Sequence, residues 1–148
     1  MKSEIRSFED LKVWQLGREI RNEIFERVKS FPKVELYRLT DQMIRSSRSI
    51  TDQIAEGYGR FHYQENIQYC RQARGSAYEL KNQLITALDC KYISKEEFQA
   101  YNKNIVRCIK MINGYINYLR RAKKDLGNSV KEDGIPYHID IFKKPNNE

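Results

Sequence analysis

Apolar residues recur along this chain at steps of three and four, the period that lines one face of an α-helix. Between Phe8 and Lys29 they stand at Leu11, Trp14, Ile20, Ile24 and Val28, with Arg18, Glu19, Arg21, Glu23 and Glu26 among them. The spacing predicts a first helix that ends at Phe31-Pro32, because proline disfavours helical geometry at the residue before it. A second helix is predicted through Leu36, Leu39, Met43, Ser47, Ile50 and Ile54, with Gly57 and Gly59 closing it and permitting a sharp turn. A third runs from about Tyr63 to Leu88 through Ile67, Cys70, Ala73, Ala77, Leu80 and Leu84, interrupted by Gly75. A glycine inside a helix costs on the order of 1 kcal/mol, so Gly75 and the small Ser76 beside it are expected to let another helix approach closely. The fourth helix opens at Ser94, which forms a capping box with Glu97 three residues on. Phe98, Tyr101, Ile105, Cys108, Ile112, Tyr115 and Leu119 then continue the three-and-four alternation until Gly127 stops it.

Four amphipathic helices on short loops, with no alternating strand pattern in the body, predict an all-α fold, an antiparallel up-down four-helix bundle over residues 1–127. The segment 128–148 loses the helix period and is broken by Gly134, Pro136 and Pro145. Its apolar part, with Tyr137, Ile139 and Ile141, suits either a mobile tail or a short extended arm. A length of 148 residues is that of one ordinary domain, and 7 Gly with 3 Pro excludes a disordered or turn-rich all-β chain. No apolar run approaches the roughly 18 residues that cross a bilayer, and the start lacks an apolar signal core, so a cytoplasmic protein is expected. Cys70, Cys90 and Cys108 lack paired spacing and read as reduced, buried thiols.

Charge adds a feature that the apolar pattern does not contain. Of the net +7, residues 94–127 carry +5, and no acidic residue lies between Glu97 and Asp125. Lys103, Arg107, Lys110, Gly114, Asn117, Arg121 and Lys124 follow the same steps as the apolar seam and, at about 100° per residue, lie opposite it. Arg120 and Lys123 extend the charge at the helix end, and Asn113 and Asn117 supply amides. A line of cations backed by a core matches phosphate, so nucleic acid is the expected partner; a solvated face, or an acidic protein surface, is the alternative. Tyr58, Phe61, His62, Tyr63 and Tyr69 cluster near the second helix junction, where they serve as base-stacking rings or, more simply, as packing.

Catalytic constellations are not found in the pattern. A di-iron bundle needs Glu-x-x-His on two helices, whereas the two histidines are His62 and His138. Cys70 and Cys108 fall on apolar stripes, and Gly57-Tyr58-Gly59 lacks the strand of a dinucleotide fingerprint. No catalytic residue, metal ligand or cofactor site is therefore assigned. Glu56 and Arg60, four apart, read as a pair across one helical turn.

Three blocks resemble the 23S rRNA intervening sequence family of four-helix bundle proteins. They are Phe8 to Gln15, containing Trp14; Phe31-Pro32-Lys33-Val34-Glu35-Leu36-Tyr37, running on to Ile54-Ala55-Glu56-Gly57-Tyr58-Gly59-Arg60; and Ala73-Arg74-Gly75-Ser76-Ala77-Tyr78-Glu79-Leu80. The resemblance spans about residues 8–120 and implies a ring-like homo-oligomer, commonly a pentamer. It also implies a relation to accessory proteins of diversity-generating retroelements, which bind nucleic acid and a reverse transcriptase, and it implies no enzymatic activity. Under it, Trp14, Pro32, Glu35, Ile54, Ala55, Glu56, Gly57, Arg60, Gly75, Ser76 and Glu79 are motif residues for turns and packing, with Tyr78 and Glu79 expected to hydrogen-bond a neighbouring helix. Gln53 stands where the family usually has Asn, and Ser46-Ser47-Arg48 replaces a more apolar stretch.

Overall fold

The computed structural model describes residues 5–126. It contains four α-helices, α1 (Lys12–Val28), α2 (Leu39–Gly59), α3 (Tyr63–Asp89) and α4 (Lys95–Leu126), with single 3-10 turns at Phe8–Asp10 and Lys33–Glu35. The 128–148 tail and its Tyr137, Ile139 and Ile141 lie outside the described residues. Each helix turns its apolar stripe inward. Leu11, Ile24, Met43, Ile50, Ile54, Ile67, Leu80, Leu84, Ile105, Ile112 and Ile116 are almost wholly removed from solvent, and each such side chain contributes roughly 1.5–3 kcal/mol of transfer free energy.

Hydrogen bonds between helices give the directions. Ser46 Oγ donates to Gln83 Oε1 (2.6 Å), and the hydroxyls of Ser49 and Ser76 stand 2.8 Å apart. Arg74 Nη1 donates to Asn113 Oδ1 (2.7 Å), and Lys123 Nζ donates to Gln64 Oε1 (2.8 Å). Arg21 reaches Thr51 while Arg48 lies over Phe25. In each pair one number rises as the other falls, so sequential helices are antiparallel. α4 closes the square on α1, and among the described residues no Cα atoms of the diagonal helices come within 8 Å.

The α1–α4 seam is the least extensively packed of the four. Toward one end it holds a cleft of about 780 Å3, lined by Glu23, Arg27, Glu97 and Tyr101 among others. Toward the other lies a cleft of about 270 Å3 between Leu11–Val13 and Met111, Tyr115 and Tyr118. Arg27 closes the first end by donating to the Glu97 carboxylate and to the Tyr92 carbonyl (2.8 Å).

Several local expectations need correction. α2 begins at Leu39, after a 3-10 turn, and Leu36 points outward at 52% exposure. Glu35 explains the later start, since its Oε2 accepts from the Leu39 backbone N–H (3.0 Å) and satisfies a free donor of the first helical turn. Gly57 and Gly59 are inside α2 and do not make the turn that follows; Phe61, at φ 51°, makes it. Gly57 serves close packing instead, because a Cβ there would stand 2.8 Å from both Asn66 Oδ1 and Tyr69 Cβ. Gly75 has the opposite surroundings: among the described residues nothing lies within 4 Å of where its Cβ would be, so none of the four helices approaches it. Cys70 and Cys108 are buried, but Cys90 is exposed at the end of α3. Ser94 and Glu97 form the expected capping box, each accepting from the other's backbone N–H.

Candidate nucleic-acid interface

α4 is long and straight enough in pattern to separate two faces completely. Ile105, Cys108, Ile112, Tyr115 and Leu119 are buried, while Lys103, Arg107, Lys110, Gly114, Asn117, Arg121 and Lys124 are all exposed. At about 1.5 Å per residue the exposed row from Lys103 to Lys124 is roughly 30 Å long. Arg120 is also exposed, with Nη1 3.5 Å from Asn117 Oδ1. Lys123 differs from the expectation: it is half-buried and turned onto α3, where Gln64 accepts its ammonium. Asn113 likewise spends its amide oxygen on Arg74.

Among the described residues, none of Lys103, Arg107, Lys110, Arg120, Arg121, Lys123 and Lys124 is in an ion pair. Asp125 ends the row beside Lys124, while Glu23, Glu26 and Glu97 line the α1–α4 cleft at the start of α4, where Glu97 is engaged by Arg27. The arrangement leaves a row of positive charge with no ion pair among the described residues, which focuses potential on that face and favours a polyanion.

α3 enlarges this face with cations that the sequence reading did not single out. Arg74 is held against α4 by Asn113, and Arg71 and Lys81, three back and seven on, share its side of α3. None of the three is in an ion pair among the described residues. Their signal was present as steps of three and seven, but only the register of α3 against α4 shows that they adjoin the α4 row.

Most of the motif residues serve as structural clasps. Trp14 is buried with the Phe8 ring edge-on at 5.2 Å and the guanidinium groups of Arg18 and Arg21 over its face. Pro32 caps the 3-10 turn, and Glu35 links α2 to Tyr92, whose hydroxyl donates to Oε1 (3.2 Å). Ile54 is core and Ala55 half-buried beside it. Arg60 donates to Glu56 (2.9 Å) and to the Tyr69 hydroxyl (2.7 Å), fastening the α2–α3 corner. Ser76 meets Ser49, while Glu79 accepts from Gln83 of its own helix (3.3 Å) and Tyr78 makes no hydrogen bond among the described residues. Gln53 Oε1 is buried with no hydrogen-bond partner among the described residues.

Burial pushes the thiols of Cys70 and Cys108 up to about 12, which removes them as nucleophiles near neutral pH. Among the described residues no three His, Cys, Asp or Glu side chains stand together as a metal site, and no helix is long and apolar enough to cross a membrane.

Comparison with known proteins agrees with the architecture. A crystal structure of a protein of unknown function from the S23 ribosomal protein family of Bacteroides thetaiotaomicron superposes with a TM-score of 0.64 at 20% identity, over 70% of this chain and 97% of that one. At that identity the likeness speaks for the fold alone. No match was found among curated proteins. The sequence profile described as 23S rRNA-intervening sequence protein matches residues 9–114, from the turn before α1 through most of α4, and so takes in all of the motif blocks but Phe8, with parts of all four helices. On that extent of agreement, the chain belongs to the 23S rRNA-intervening sequence protein family.

Proposed function

We propose that this protein is a non-enzymatic, cytoplasmic homo-oligomer that binds RNA or DNA through the basic face of α4, extended by α3. The observation that carries the reading is the row of exposed, unpaired cations from Lys103 to Lys124 laid along one side of a rigid helix. Phosphate contacts would supply most of the affinity and little sequence preference. A ring of subunits, a pentamer by the family resemblance, would repeat the row once per subunit and multiply weak contacts.

Titration of a labelled 20-nucleotide RNA at several salt concentrations tests the mechanism. Six or seven phosphate contacts to a single strand give a log–log slope of about −4 to −5, and a salt-independent affinity overturns it. The variant carrying Arg107→Glu, Lys110→Glu, Arg121→Glu and Lys124→Glu is expected to lose binding while keeping wild-type helicity by circular dichroism. Unchanged affinity in that variant rejects the site. Light scattering of the wild type is expected to give a mass near five times 17.7 kDa.

A second reading rests on a different observation. Val34, Leu36 and Tyr37 are 60%, 52% and 88% exposed around the turn between α1 and α2. Such an apolar cluster favours a protein contact, as in a scaffold or accessory factor for a polymerase such as a reverse transcriptase. Retention of a polypeptide partner by the charge-reversed variant would favour this reading.

A further inference from the structure

The rings that the sequence offered for base stacking are occupied. Tyr58 and Tyr63 are buried, Phe61 packs against Tyr58, and Tyr69 is covered by the Arg60 guanidinium that its hydroxyl also accepts. Tyr78 is different. It is 54% exposed on α3 and has neither a hydrogen bond nor a ring contact among the described residues. Its aromatic face is therefore open to solvent and free to stack.

Its neighbours identify the ligand. Arg74 lies four residues before Tyr78 and Lys81 three after it, on the same side of the helix, with Arg71 one further turn away. The Arg74–Asn113 hydrogen bond fixes this side of α3 against α4. Because the two helices are antiparallel, moving from Arg74 to Tyr78 moves along α4 from Asn113 toward Lys110. At about 100° per residue the ring stands among the α3 cations, some 40° around the helix from Arg74, at the outer edge of the side that meets α4. The adjacent carboxylate of Glu79 is drawn off to the Gln83 and Ser46 side, toward α2.

We infer that Tyr78 is a stacking platform for an unpaired base of a single-stranded nucleic acid whose phosphates cross Arg71, Arg74 and Lys81 to the α4 row. The inference rests on the nucleic-acid reading above and narrows it. An aromatic face flanked by unpaired cations holds one base and its phosphates together, and the bases of a duplex are already stacked and inaccessible to it. Tyr78 thereby sets a preference for single strands that the cations alone do not.

The test compares the wild type, Tyr78→Ala and Tyr78→Trp on a 12-nucleotide single strand and on a duplex of the same length, with light scattering alongside. Tyr78→Ala is expected to weaken the single strand about 5- to 100-fold, to leave the duplex unchanged, and to keep the wild-type mass; Tyr78→Trp retains single-strand affinity. An equal loss on both ligands, or no loss on either, overturns the stacking role while leaving the basic face in place. A fall in mass with Tyr78→Ala also overturns it, by assigning the ring to a contact between subunits. Failure of the wild type to bind either ligand sinks the nucleic-acid reading on which it rests.

Discussion

Gly57 and Gly75 show how differently one residue type is used in this bundle. Alanine at Gly57 would push a methyl group to 2.8 Å from Asn66 Oδ1 and Tyr69 Cβ, and Asn66 cannot turn aside without loosening its buried hydrogen bond to Tyr115 (3.1 Å). Gly57→Ala is expected to lower stability by about 1–3 kcal/mol in urea denaturation. Gly75→Ala meets open space and removes backbone freedom from the unfolded chain, so it should raise stability by up to about 1 kcal/mol. The cysteines divide in the same way. Under native conditions one thiol, Cys90, should react with a disulfide reagent, while Cys70 and Cys108 react on unfolding. Much of this was legible in the sequence. Cys70 and Cys108 fall on apolar stripes, and Gly75 is about 180° from the seam of Cys70, Ala73, Ala77 and Leu80. The expected close approach at Gly75 failed because it weighed the residue type above its place in the helical period. The packing of Gly57 against Asn66 was not legible, since it depends on the corner made by Phe61 at positive φ, a conformation ordinarily left to glycine.

At the scale of elements, helix ends were legible where their partners are local. The Ser94–Glu97 box spans three residues and appears as expected. The second partner of Glu97, Arg27, lies 70 residues away and required the tertiary fold. The hydrogen bond from Arg27, and then that from the Ser94 backbone, hold the Glu97 carboxyl below its ordinary value of 4.5. A depressed carboxylate stabilises the fold above the unfolded value and ceases to do so as pH falls through the folded one. Glu97→Gln is therefore expected to be less stable than wild type near neutral pH, with the difference closing as pH drops below 4.5, measured by thermal melts across pH. The start of α2 was misplaced for a related reason. Leu36 has the right spacing for the apolar stripe, but the Pro32 turn and the cap from Glu35 displace the helix to Leu39.

For the whole molecule, the basic row of α4 was visible because a single helix period places it, whereas the α3 cations and Tyr78 join it only through the register of two helices. The bundle is also unequal around its perimeter. Short connections lock α2 to α3 and α3 to α4, but α1 meets α4 with no connection between them, across open clefts and the Arg27–Glu97 clasp. That seam is where the molecule should breathe. Local opening there would swing α1 outward while the α2–α3 pair stays closed, so amide protons of α1 should exchange with deuterium sooner than those at the centre of α3. Loss of the clasp in Glu97→Gln should hasten α1 further and leave α3 unchanged. A subunit contact that spanned α1 and α4 would then act as a splint, and assembly would be read out as slower exchange in the first helix.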